Sequence, residues 1–142
     1  MADYDFSSLD AFLETLRGLP ALCEESAAEV AEEFKAETDR NIKAQRDPYG
    51  HLWYPSKDGL PVLLNAGEHV TTKATGTLIE IKLTGVEVRH HIGNARGYRG
   101  GSAKLGGFRR AIIPYKTLPG PFKAVCRRVL ERKYNANFRK AA

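Results

Sequence analysis

"LIEIKLTGVEVRHHI", residues 78–92, carries the clearest two-residue alternation in the chain. Ile79, Ile81 and Leu83 alternate with Glu80 and Lys82, the period of two that marks a strand with one buried face. Val86, Val88, His90 and Ile92 repeat the alternation after Thr84-Gly85, so the segment reads as a β-hairpin turning at that pair. Further on, "RRAIIPY" at 109–115 offers a third strand.

Helical periods flank this sheet on both sides. Upstream, Leu9, Phe12, Leu13 and Leu16 recur at helical spacing behind Ser7 and Ser8, and Gly18 and Pro20 end or kink that helix. From Ala21 to about Arg46 one stripe holds Ala27, Val30, Ala31, Phe34, Thr38 and Ile42. Glu24, Glu25, Glu29, Glu32, Glu33 and Asp39 lie largely off it. A helix of that length spans about 37 Å, too long for the small remainder of one domain, so Val30 and Phe34 are expected to meet another subunit. Downstream, Pro119 and Pro121 open a second helix whose core stripe reads as Phe122, Val125, Val129 and Leu130. The predicted class is α+β: a long N-terminal helix, a small antiparallel sheet and a C-terminal helix packed on it, in a single domain over residues 1–142.

The chain has 142 residues, enough to bury a real core, and 42% hydrophobic content excludes a wholly disordered protein. Its net charge of +5 conceals a split: residues 1–47 sum to −7 and residues 48–142 to +12. Such a molecule attracts copies of itself, or presents its basic half to a polyanion. Cys23 and Cys126 fall in helical patterns without metal-site spacing and read as reduced thiols. The opening "MADYDFSSLD" reads as neither signal nor transit peptide, and no apolar run approaches a membrane span of about 18 residues.

No catalytic set emerges. His90 and His91 would point to opposite faces of a strand, and His51 and His69 bear no spacing relation to them. Asp58, Glu68, Glu80 and Glu87 are scattered singly, and Ser56 and Ser102 lack a nucleophile context. Neither metal nor cofactor is expected, and a ribonuclease using either histidine is disfavoured. "RGYRGGSAKLGGFRR", residues 96–110, holds five glycines and five basic residues and reads as a flexible basic loop. With the basic C-terminal helix it supports an alternative reading as a nucleic-acid-binding module, although only Tyr98 and Phe108 could stack on bases.

"DPYGHLWYPSKDGLP", residues 47–61, is turn chemistry around aromatic side chains that need burial, so Trp53 is expected to anchor the loop. Together with the preceding acidic helix, its residues Ile42, Gln45, Asp47, Pro48, Gly50, Trp53 and Pro55 resemble the virion morphogenesis proteins of tailed phages, the tail-completion family of the head-tail junction. "LLNAG", "VRHHIG" as a histidine-containing strand end, and "RRAIIPYKTLPGPFKAVCRRVLERKY" extend the resemblance over residues 5–138, whereas the basic loop maps onto no family motif. The resemblance implies a non-enzymatic virion protein of the tail or neck, assembled in the host cytoplasm as a ring of six copies on the tail tube and neck or connector proteins. In such a ring Arg96, Arg99, Lys104, Arg109 and Arg110 are expected to touch DNA, independently of its sequence, or the neighbouring ring. Val30, Phe34, Ile42, Trp53 and Phe122 are expected as subunit-interface or core anchors.

Overall fold

The computed structural model describes residues 16–56, 58–92 and 110–141 together with 9, 13 and 14, with backbone alone at 92 and 137–141. Helix α1 runs over Leu19–Lys43, followed by a single 3₁₀ turn at Ala66–His69, strands β1 (Val70–Thr75) and β2 (Leu78–Leu83), the short helix α2 (Glu87–Ile92) and helix α3 (Gly120–Ala141). The architecture is α+β, with a two-stranded antiparallel sheet between the long helices in the chain. Among the described residues no helix is long and apolar enough to cross a membrane.

Gly18 is a turn residue between the helical residues 16 and 17 and α1, as expected of the Gly18–Pro20 break, and Pro20 stands in the first turn of α1. Its fixed φ suits the first turn, where a missing N–H loses no hydrogen bond. The predicted stripe is buried along its whole length, from Ala27 and Val30 through Phe34 and Thr38 to Ile42. Thr38 and Ser26 sit on it as polar residues because each hydroxyl donates back to the carbonyl one turn earlier, Phe34 O at 2.9 Å and Leu22 O at 2.6 Å.

α3 covers that stripe from within the same chain. Phe122, Val125 and Val129 pack with Val30 and Phe34, and the Phe34 and Phe122 rings meet at 4.9 Å between centroids. Val30 and Phe34 are therefore core anchors, not the subunit contact expected from the length of α1. Leu130 is 47% exposed, because it follows Val129 by 100° around the helix and leaves the stripe. Charge follows the same pairing: Arg128 meets Glu33 at 3.3 Å, Arg132 pairs with Glu29, and Lys133 reaches Glu29 and Glu25 at 3.6 and 3.8 Å. Part of the acidic–basic split of the sequence is thus answered inside one chain.

The hairpin differs from the sequence reading. β2 pairs with β1, not with residues 86–92, and the turn is Gly76-Thr77 with Gly76 at φ +59°. Residues 87–92 are helical, and no strand forms over the described part of "RRAIIPY". The alternation of Val86, Val88, His90 and Ile92 is short enough to fit either period. Burial of Glu87 and His91, one helical turn apart, decides it. A second core beneath the sheet holds Ile42, Trp53, Ala66, Val70 and Ile112, so all five expected anchors are buried in one of the two cores.

Candidate functional site

The motif that carries the family resemblance folds as a clamped loop beyond the C-terminus of α1. Gln45 occupies the left-handed position that ends the helix, at φ 55°. Its N–H bonds Ile42 O at 3.1 Å and the N–H of Arg46 bonds Asn41 O at 3.0 Å, a helix stop usually given to glycine. The side chain explains the choice. Gln45 Nε2 donates to Val62 O at 2.8 Å and to Ile42 O at 2.9 Å, while Gln45 Oε1 accepts from Val62 N at 2.7 Å. One amide thereby ties the two ends of the loop as a strand partner would.

Inside the clamp, Asp47 Oδ1 accepts from the N–H groups of Tyr49 and His51 at 2.8 and 2.9 Å, and Gly50 takes φ +91°. Pro48 is buried, whereas Pro55 is exposed. Trp53 is buried, with its backbone N–H on Gln45 O at 2.7 Å and its indole Nε1 donating to Ala111 O at 2.9 Å. Tyr49 was not singled out by the sequence, yet its hydroxyl accepts from Tyr115 N and Lys116 N and donates to Thr117 O at 3.0 Å. No local pattern announces that role, because the three partners lie more than 60 residues away.

Arg110 departs from its expected part. Expected as a contact to DNA or a neighbouring ring, it is 4% exposed and donates to Tyr54 O at 3.0 Å and Pro55 O at 3.4 Å. Desolvation pulls its pKa below the usual arginine value. It is a strut between residue 110 and the loop. Arg96, Arg99, Lys104 and Arg109, and the expected flexibility of the loop that bears them, lie outside the described residues.

His69, His90 and His91 lie on or beside α2, whereas His51 stands in the clamped loop with its Nδ1 3.3 Å from Asp47 Oδ2. His69 Nε2 lies 3.6 Å from Glu87 Oε1, and Glu87 Oε2 is buried without a hydrogen-bond partner. His91 is buried and its Nδ1 accepts from Ile112 N at 3.1 Å, so that ring is a fixed acceptor. His90 is half-buried, its carbonyl accepting from Arg110 N at 3.0 Å. Burial first, then the Arg110 charge, lowers the His90 pKa from 6.5, and Glu87 opposes the shift. Among the described residues no three His, Cys, Asp or Glu side chains gather as a metal would require. Cys23 is exposed and Cys126 partly buried, both as free thiols, and burial pushes the Cys126 thiol upward.

Two groups of exposed apolar side chains stand out by their spacing, apart from single ones such as Leu78 and Val86. Leu9, Leu13 and Leu16, on helical residues and spaced by four and three, are 49%, 39% and 38% exposed. The clamped loop and its exit show Leu52, Tyr54, Leu60 and Leu64 to solvent. Comparison with family models, with curated proteins and with solved structures returned no match.

Proposed function

We propose that the chain is a structural protein, not an enzyme, that completes the tail of a tailed phage at the head-tail junction by assembling as a ring. The resemblance of Gln45, Asp47, Gly50, Trp53 and Pro55 to the tail-completion motif is its starting point, and six copies is the number that resemblance implies. The observation that carries it furthest is the leucine set Leu9, Leu13 and Leu16. Its helical spacing is that of a packed face, yet all three are exposed among the described residues. A partner surface, on another copy or on the tail, gives that spacing a purpose. Its partners are tail-tube and neck or connector proteins, the role proposed for Arg96, Arg99, Lys104 and Arg109 is sequence-independent contact with DNA or an adjoining ring, and its place is the virion.

The nucleic-acid-module reading has less support. Arg128, Arg132 and Lys133 of α3 face Glu33, Glu29 and Glu25, so part of the basic helix is already neutralised by its neighbour. Electron microscopy of tails lacking this protein, with and without the purified chain, tests the proposal. A ring at one tail end and recovery of joined particles are expected. Tails unchanged by the protein, together with tight binding of a short RNA or DNA, would overturn it.

A further inference from the structure

The two-stranded sheet leaves a strand edge whose geometry defines its own partner. The turn at Gly76-Thr77 makes Thr75 and Leu78 a mutually hydrogen-bonded pair, and Thr84 N on His69 O at 3.0 Å continues the ladder in the same phase. Lys73 with Glu80 and Thr71 with Lys82 complete it. By alternation, the backbone N–H and C=O groups of Ile79, Ile81 and Leu83 point away from β1, along the outer edge of β2. No hydrogen bond of the described residues reaches them.

We propose that this edge pairs with the β2 edge of a second copy of the chain, antiparallel and centred on Ile81, to form one four-stranded sheet. In that register Ile81 faces its own counterpart, and Ile79 faces Leu83, so the residues with outward backbone groups meet each other. Glu80 then stands opposite Lys82 of the second copy, and Lys82 opposite its Glu80. Both are exposed on the outer face of the sheet, where directly opposed side chains interact. Symmetric pairing of β1 instead, centred on Thr72, sets Thr71 against Lys73 and matches no charges. Side-chain size points the same way. The half-buried inward residues of β1 are the small Thr72 and Ala74 beside a buried Val70, whereas those of β2 are the large apolar Ile79, Ile81 and Leu83. A second strand alongside β2 covers the open flank of these three apolar side chains. It also closes an edge that would otherwise invite open-ended association. This inference concerns the free protein and does not rest on the tail-completion reading.

The test uses charge reversal in the full chain, read by sedimentation equilibrium at low salt. Wild type forms a dimer. Glu80→Lys and Lys82→Glu alone each oppose like charges twice across the contact, and each weakens dimerisation by about tenfold. Mixing the two variants restores a heterodimer, because the lysine introduced at 80 meets the glutamate introduced at 82. The double variant Glu80→Lys/Lys82→Glu dimerises as wild type does. Circular dichroism and the urea midpoint of each variant confirm that the exposed substitutions leave the fold intact. A monomeric wild type, unchanged single variants, a mixture that fails to recover, or species growing beyond a dimer through β2 against β1 would overturn the proposal.

Discussion

The side-chain amide of Gln45 and the backbone of Val62 exchange two hydrogen bonds, at 2.7 and 2.8 Å, across seventeen residues of chain. This reciprocal pair holds a non-glycine residue in the left-handed region and closes the loop that contains Trp53. Replacing Gln45 with Ala leaves the Val62 N–H and C=O unpaired and is expected to cost about 1 to 3 kcal/mol. Gln45→Glu is expected to be worse at pH 7, since a carboxylate then faces the Ile42 and Val62 carbonyls, and to recover partly at pH 4 when the acid can donate. Urea denaturation at the two pH values measures both.

Trp53 fills the second core and donates to Ala111 O. Trp53→Ala is expected to cost about 3 to 5 kcal/mol. Trp53→Phe keeps most of the volume but orphans that carbonyl, at about 1 to 3 kcal/mol. Denaturant midpoints rank the two. Because this is the chain's one tryptophan, native fluorescence is expected to be blue-shifted and to move to the free-indole position on unfolding.

The basic residues at 96–110 are expected to separate by role. Arg110→Ala removes a buried donor from the carbonyls of Tyr54 and Pro55 and lowers stability by about 1.5 to 3 kcal/mol. Changing Arg96, Arg99, Lys104 and Arg109 together to Ser is expected to leave the unfolding midpoint in place and to reduce the yield of joined particles. A midpoint unmoved by Arg110→Ala would remove its structural role.

Gly85 combines two constraints. Its φ is +80°, and a Cβ there would stand 2.7 Å from Glu87 Oε2 and 2.8 Å from His69 Nδ1. Gly59 has φ +69° and open space around its missing Cβ. Gly59→Ala therefore reports backbone strain alone, and Gly85→Ala is expected to lose more stability, the difference measuring the steric part. Equal losses in thermal melts would mean that the histidine–glutamate pair simply moves aside.

His90 sets the direction of an acid effect. Its folded pKa lies below 6.5, so between that value and its folded pKa the unfolded chain binds more protons than the folded one. Its contribution to stability is complete above pH 6.5 and is lost as pH falls below it. His90→Asn is expected to flatten the fall in urea midpoint between pH 7 and pH 5. A wild-type midpoint rising on acidification through that range would contradict the shift.

The two long helices, their buried stripes apart from Leu130, and the α+β class were legible in the residue order alone. Each rests on a period repeated over many turns, and repetition averages out the accidents of single residues. Residue order also marked Trp53 and the turn-rich loop after α1, since large aromatics among prolines have few other reasons to stay ordered. The rest came from contacts between distant segments. Residues 86–92 are too short for their alternation to exclude a helix, and Glu87 and His91 packing against His69 and Ile112 chose one. Arg110 looks like its basic neighbours in sequence, and only the arrival of the Tyr54 and Pro55 carbonyls makes it a strut. The acidic stripe of α1 looked like a surface for another copy until α3 laid its arginines along it. Local pattern records that a residue needs a partner of a given kind. Which partner reaches it depends on contacts across the whole chain.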